Sequence, residues 1–479
     1  MKSHFQIKST VLLKRLGLFC VFSLAVFGVY AQKSKPKPIP GQYIVIMKDK
    51  FATPSGDDST TTFKSREDKE NKRKGDREKK NDNIRKFIKQ KRVDGVEVFS
   101  DAAVGFSVKK LTKAKLDSLK ADPNVEAVIQ DVEVQYYEPV SLKDPIFQSV
   151  PDNSLKDPIF QNDRSASLKD PIFQNDTRSS SLKDPIFQND PKFQNDSVFK
   201  TYNIDFFTRQ SIAIRTAGGS VDGTKKTSAI WFLDTGIDPF HPDLNVETNA
   251  KLAVSFVMDK EKDFADHNGH GTHCAGLAAA KNDTIGITGV SAGARVIPVK
   301  VLDSLGVGSW TSVLLGLDHV ATFGMPGDVV NLSLGSYDSL YNIDSVPQPL
   351  LRAIRSLGRA GIFVTMSAGN DAGDASFNIP GLVNGKNIFT TAAISTIKTI
   401  APYSNYGAPV DFVSVGNRVM STYKDQSYTA LSGSSMASAI TAGIIHANDG
   451  KPDNGEKVTI NGKDYIIATI NQSKKKKVK

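Results

Sequence analysis

From about Asn203 onward, apolar runs of strand length alternate with helix-length amphipathic segments, and this alternation limits the possible folds more than any other feature. "SAIWFLDTG", "ARVIPVKVLD", "DVVNLSLGS", "GIFVTMSAGN" and "NIFTTAAIS" read as strands buried on both faces, because they lack a regular apolar-polar alternation. "WTSVLLGLDHVATFG" and "PLLRAIRSLGRAG" carry helical spacing. The pattern predicts a parallel, doubly wound α/β domain over residues 201–470. In such sheets functional groups gather where strands end and loops begin.

A smaller α+β domain is expected before it, over residues 32–139. "GQYIVIMKD" alternates like a half-buried strand, and the charged stretch Lys64–Lys80 reads as a disordered insertion. "VEVFSDAAVGFSVKKL", "KAKLDSLKADP" and "VEAVIQDVEVQYYEP" then read as strand, helix and strand. Between the domains, over residues 140–200, "SLKDPIF" recurs from Ser141, Ser154, Ser167 and Ser181. So short a polar period cannot bury a core, and it reads as an extended linker.

Residues 1–31 have a basic start, an apolar run from Leu16 to Val29 and a small-residue end at Ala31, which together read as a secretory signal. No stretch is long and apolar enough for a membrane span, so a secreted, extracellular protein is expected. Removing the signal removes Cys20 and leaves Cys274 alone, without an intramolecular disulfide partner. The net charge of +10 argues weakly for nucleic acid: residues 1–31 carry +4, residues 32–140 carry +6, and the rest sums to zero. The lysines of residues 471–479 read as a solvated basic tail.

Three blocks carry chemistry. Asp234 closes the buried run "AIWFL", where a carboxylate needs a partner to keep it charged or hydrogen-bonded. "DTG" also suits an aspartic protease, but with no second copy in the chain that would require a homodimer. In "HNGHGTHCAGLA" three histidines stand at intervals of three, which raises the question of a metal helix. Gly269 and Gly271 disfavour a helix through all three, and no His-Glu-x-x-His pattern accompanies them. The segment reads as a turn entering a helix, with His270 at its mouth. Ser435 in "LSGSSMASAITAG" is either a plain N-cap serine or a nucleophile beside helix N–H groups. Together, Asp234, His270 and Ser435 supply an orienting acid, a base and a nucleophile, in that chain order.

"DTGID", "HGTHCAG", "NLSLGS", "SAGND" and "SGSSMAS" resemble, in order, the signature blocks of the subtilisin-like serine proteases, with "HGTHCAG" most like the proteinase K branch. "GQYIVIM" to "EVQYYEP" resembles the inhibitory propeptide of that family. The resemblance implies a secreted serine endopeptidase made as a zymogen, acting on protein and peptide substrates through a catalytic Asp234, His270 and Ser435. It implies Asn370 as oxyanion donor, and Ser333, Leu334 and Gly335 as the edge on which an extended substrate lies. His267 and His273 become supporting loop residues, and Cys274 a thiol beneath the histidine. No cofactor is implied for the chemistry; structural calcium is, with Asp411 of "PVDFV" as a ligand. The partners implied are the chain's own propeptide and its substrates, with no nucleic acid, and the protein is expected as a monomer. Ala439-Ile440 replaces the family's Pro-His, and Ser414-Val415-Gly416 its Ala-Pro-Gly. The roomier Ala439 position leaves a transpeptidase or cyclase, or a catalytically silent relative, as alternatives.

Overall fold

The computed structural model describes residues 37–48, 65–94, 96–136, 204–205, 207–257, 261–337 and 348–471. The expected signal, the repeats and nearly all of the basic tail lie outside these residues. The N-terminal region is built from β1 (Pro38–Met47), α1 (Arg66–Lys91), β2 (Val96–Phe99), β3 (Gly105–Val108), α2 (Lys113–Lys120) and β4 (Val125–Tyr136). Its antiparallel sheet has the order β4-β1-β3-β2.

Two expectations change here. The charged stretch is not an insertion without structure, because residues 66–80 form the first turns of α1. Ser65 caps the helix by accepting from the Asp68 N–H at 3.1 Å, and Asp68–Lys72 is an i,i+4 ion pair at 3.1 Å. "VEVFSDAAVGFSVKKL" is two strands and not one, since Ser100–Val104 turn the chain between β2 and β3. β1 is also buried on both faces. Val45 and Met47 pack with Ile84 and Phe87 of α1 and Leu119 of α2, whereas Ile44 and Ile46 join Phe99 and a cluster that reaches into the C-terminal region.

That second region has the expected doubly wound sheet. Its main elements are β5 (Ile230–Asp234), α3 (His270–Ala279), β6 (Arg295–Lys300), β7 (Val307–Ser309), α4 (Trp310–Phe323), β8 (Val329–Leu332) and β9 (Leu334–Tyr337). They are followed by α5 (Gln348–Arg359), β10 (Phe363–Ser367), β11 (Ile388–Ile394), β12 (Phe412–Val415), β13 (Val419–Tyr423) and β14 (Ser427–Leu431). α6 (Ser434–Asn448), β15 (Asp453–Ile460) and β16 (Lys463–Thr469) close the chain. The sheet order is β15-β16-β12-β11-β10-β8-β5-β6, parallel throughout except for the terminal β15–β16 hairpin. Residues of α3 and α6 share one hydrophobic cluster and those of α4 and α5 the other, so each face is covered by a helix pair. The chain runs from β5 to β6 on one side, then to β8 on the other. This reversal puts the switch point at β5, whose last residue is Asp234. No helix among the described residues is long and apolar enough to cross a membrane.

Candidate active site

Asp234 ends β5 with its backbone fully engaged, since its carbonyl accepts from Val301 and Leu302 N–H groups. Its carboxylate is buried, accepts from the Thr235 N–H at 2.8 Å, and meets His270 Nδ1 at 2.7 Å. His270 is the first residue of α3, at the mouth of a helix as the glycines imply. Gly271 makes that approach possible: a Cβ there would lie 2.1 Å from the Gly236 carbonyl oxygen and 3.2 Å from the Asp234 carboxylate. The Asp234 contact places His270 Nδ1 as donor, which leaves Nε2 as the basic nitrogen. That Nε2 is buried and has no hydrogen-bond partner.

Ser435 is the second residue of α6 and is fully buried; its hydroxyl donates to the Ser333 carbonyl at 3.4 Å. Asn370 follows β10, and its side-chain carbonyl accepts from the Ser434 N–H at 2.9 Å, which fixes the amide beside the start of α6. The structure thus gathers the ends of β5, β8 and β10 and the starts of α3 and α6 at one edge of the sheet. Asp411 is not among them. It stands just before β12, where its carboxylate accepts from the Thr390 N–H at 2.8 Å. Among the described residues the only group of three His, Cys, Asp or Glu ligand atoms is Asp234, His270 and Cys274, within 4.8 Å of one another. Asp411 brings one carboxylate, so the rest of the six to eight oxygens of a calcium site there would be backbone carbonyls.

The three closely spaced histidines separate cleanly. His267 is exposed and pairs with Asp263 at 3.1 Å. His273 is not a loop residue but lies within α3, fully buried, where its Nε2 donates to the Val419 and Thr429 carbonyls at 3.0 and 3.1 Å. Burial, reinforced by His270, pushes its pKa down to about 3, so it is a neutral tie between α3 and the β13–β14 hairpin. Cys274 lies beneath the Asp234–His270 pair as expected, and burial, then the Asp234 charge, pushes its thiol well up.

Two residues with a place in this architecture escape the sequence. Asp266 is buried and accepts from Thr235 Oγ1, the Asn268, Gly269 and Thr272 N–H groups and Thr272 Oγ1, at 2.6–3.0 Å, and so shapes the loop that delivers His270. Asn331 on β8 donates to Ser333 Oγ at 2.9 Å and accepts from Ser438 Oγ at 2.8 Å, tying the junction of β8 and β9 to α6. Ser333 Oγ in turn donates to the Ser435 carbonyl at 3.1 Å.

The site is covered by the N-terminal region. β4 lies antiparallel between two edge strands: Glu133, Val134 and Gln135 pair with Ser309, Gly308 and Val307 of β7, and Gln135 and Tyr136 with Gly335 and Leu334 of β9. The Tyr136 ring stacks on His270 with centroids 4.5 Å apart. Gly306, at φ +75°, makes room for it, because a Cβ there would fall 1.8 Å from the tyrosine ring. Ala439 and Ile440, at the departures from the family pattern, are buried in the apolar cluster shared by α3 and α6, where the branched Ile440 side chain supplies packing.

Residues 225–475, more than half of the chain, match the model of the subtilase family. The chain belongs to the subtilase family. Ahead of this subtilase domain, residues 42–137 match the peptidase inhibitor I9 model, so β1 to β4 form a propeptide of that inhibitor type. Subtilisin Savinase of Lederbergia lenta is 40% identical over 211 residues, 44% of this chain and 72% of its own length. Thermitase of Thermoactinomyces vulgaris is 33% identical over 265 residues, covering 54% and 88%. M-protease of Shouchella clausii is 40% identical over 212 residues, and this subtilase spans about half of its length (44% and 51%).

Proposed function

We propose that this subtilase is a secreted serine endopeptidase, made as a zymogen and inhibited by residues 32–139. Ser435 is the nucleophile, His270 the base and Asp234 the group that orients it. Ser435 Oγ attacks the scissile carbonyl carbon while His270 Nε2 takes its proton. The imidazolium returns that proton to the leaving amine as the C–N bond breaks, and water resolves the ester by the same exchange in reverse. The Asn370 amide donates to the oxyanion. The Ser435 hydroxyl rests on the Ser333 carbonyl at 3.4 Å, and the reading requires it to turn toward His270 Nε2, a contact of the kind that forms or tightens when substrate binds.

The observation that carries this reading is β4 itself, which adds a strand to β7 and β9 and rests Tyr136 on His270. An extended protein segment is therefore the substrate class. Ser333 precedes Leu334, the partner of Tyr136, so the β9 register counts to cleavage of the Tyr137–Glu138 bond, beyond the described residues. Residues 1–31 serve as the export signal, and residues 140–200 as a spacer that lets the propeptide reach the cleft. The chemistry needs no cofactor, calcium is structural and would be held by Asp411 with backbone carbonyls, and the enzyme acts as a monomer. An active-site serine probe tests the reading. Labelling is expected on the matured chain and not on Ser435→Ala, and N-terminal sequencing is expected to find a start near residue 138. Labelling of Ser435→Ala, or an active enzyme that keeps its propeptide covalently attached, overturns it.

A further inference from the structure

From Arg66 to Asn83 α1 contains no apolar side chain, so no hydrophobic stripe explains why its first turns lie against the subtilase domain. Two basic residues one turn apart hold them there. Arg66 grips both oxygens of Asp328, Nη2 to Oδ1 at 2.8 Å and Nη1 to Oδ2, and its Nη1 also donates to the Phe323 carbonyl at 3.1 Å. The guanidinium lies 5.4 Å above the Trp231 ring. Lys69 is 2% exposed, and its ammonium donates to the Ala321 carbonyl at 2.7 Å and to the Gly324 carbonyl. Burial, with Arg73 beside it, pushes that ammonium down to about 7. An arrangement this costly persists only where its acceptors replace water well.

The acceptors belong to the subtilase domain and are organised without the propeptide. Asp328 is fully buried and receives the Ala229 N–H, the Trp231 indole N–H and the Met325 N–H, each at 2.9 Å. Three donors orient a carboxylate but leave its charge uncompensated, and the recorded ion pair of Asp328 is with Arg66. The carbonyls of Ala321, Phe323 and Gly324 lie at the carboxyl end of α4, where helix carbonyls lack partners and the dipole favours cations. This receptor lies at the Ala229 end of β5, about five residues or ~16 Å of strand from Asp234.

We propose that Asp328 and the end of α4 form a receptor for the Arg66-x-x-Lys69 turn, a second attachment point that keeps the propeptide on the enzyme after the bond beyond β4 is cut. It rests on the zymogen reading above. Once the chain is severed, β4 can leave the cleft while α1 stays bound, and α1 returns β4 at high effective concentration. Inhibition then outlasts cleavage, and opening of the receptor sets the moment of activation. The mature enzyme also presents a site for a helix that carries the same pair of cations.

The full chain is allowed to cut itself, and the half-life of the complex of cleaved propeptide and enzyme is read by size exclusion and native mass spectrometry, which register mass and not activity. Arg66→Ala/Lys69→Ala is expected to shorten it by about tenfold or more, given two charge-assisted contacts removed. Lys74→Ala/Lys79→Ala takes the same charge from the exposed face of α1 and is expected to leave it unchanged. An unaltered half-life in the first variant, or equal shortening in both, overturns the receptor. If even the unaltered chain makes no cut, the peptidase reading has failed instead. The receptor is then read on the intact chain, where residues 66–73 are expected to exchange amide hydrogens at least about tenfold faster in Arg66→Ala/Lys69→Ala, with β3 unchanged as a sign of a folded propeptide. Equal exchange of residues 66–73 overturns it there too.

Discussion

The subtilase sheet is covered on both faces by helices of its own region, whereas the propeptide sheet has α1 and α2 on one face and takes its other cover from the enzyme. β1 shows the difference within four residues. Val45 and Met47 pack on Ile84, Phe87 and Leu119, while Ile44 and Ile46 belong to the cluster of Trp310, Leu314 and Leu317 on α4. Polar contacts follow the same division. Asp131 of β4 accepts from Gln42 at 2.6 Å and from Thr311 Oγ1 at 2.5 Å, and Asp318 of α4 accepts from the Ser100, Asp101 and Ala102 N–H groups at 2.6–3.2 Å. A small domain that finds half its core on a partner is stable mainly while attached. The proposed chemistry and self-sufficient packing lie in one region, and dependence in the other.

The largest expected effect tests whether chemistry belongs to the self-sufficient region alone. Asp234→Asn is expected to lower turnover by about four orders of magnitude, because His270 loses the acceptor that holds its tautomer. Packing should survive, so both regions remain protected in hydrogen exchange. Turnover close to that of the parent enzyme would remove the proposed triad. Asn370→Ala comes next, with turnover expected to fall by a factor of about 10²–10³ and little change in KM, since the bond to the oxyanion forms in the transition state. A change in KM alone would assign Asn370 to ground-state binding.

A third experiment addresses the division itself, on neighbouring residues of β1 in the full-length Ser435→Ala chain. Met47→Ala and Ile46→Ala should each cost about 2–4 kcal/mol, but in different places. Met47→Ala should speed exchange in β2 and β3 and leave α4 protected. Ile46→Ala should also expose the propeptide-facing side of α4, because it loosens the seam. Identical exchange maps for the two would mean that the propeptide sheet has no independent face, and the comparison would fail.

Legibility in the sequence divides along the same seam. The strands β5, β6, β8, β10 and β11, α4, α5 and the positions of Asp234, His270, Ser435 and Asn370 are readable because local pattern and local chemistry coincide there. Asp266 is not readable, since its role arises when Thr235, 31 residues away, closes on it, nor is Asn331, which meets Ser438 across 107 residues. The folding of Arg66–Lys80 is hidden for a related reason. Its counterparts, Asp328 and the end of α4, lie more than 250 residues along the chain, so charge without apolar spacing reads as disorder. The β15–β16 hairpin did carry a local signal: Asn461-Gly462, both at positive φ, is the turn that such a pair favours.

The smallest effect concerns acid. Histidines buried in neutral form lie only in the subtilase domain, since residues 32–140 contain none. Burial pushes His273 down to about 3, and His319 and His446 to about 4. For each, the unfolded chain binds a proton near pH 6.5 while the folded one does not. Their contribution is therefore complete above pH 6.5 and declines as the pH falls toward 4, by about 1.4 kcal/mol per pH unit for each histidine. Trp231 and Trp310, the only tryptophans in the chain, are both fully buried in the subtilase domain, so indole fluorescence in urea follows this region selectively. Buried carboxylates such as Asp318, pushed up to about 7, and Asp411, pushed up to about 6, act with the opposite sign over the same range, so the pH slope of the unfolding free energy is compared between Ser435→Ala and the same chain with one histidine replaced. His273→Gln can keep a side-chain donor toward the Val419 and Thr429 carbonyls but cannot titrate, so its pH slope should be lower by about one histidine's share. An unchanged slope would show that His273 is not buried neutral, and that the tie between α3 and the β13–β14 hairpin has another basis.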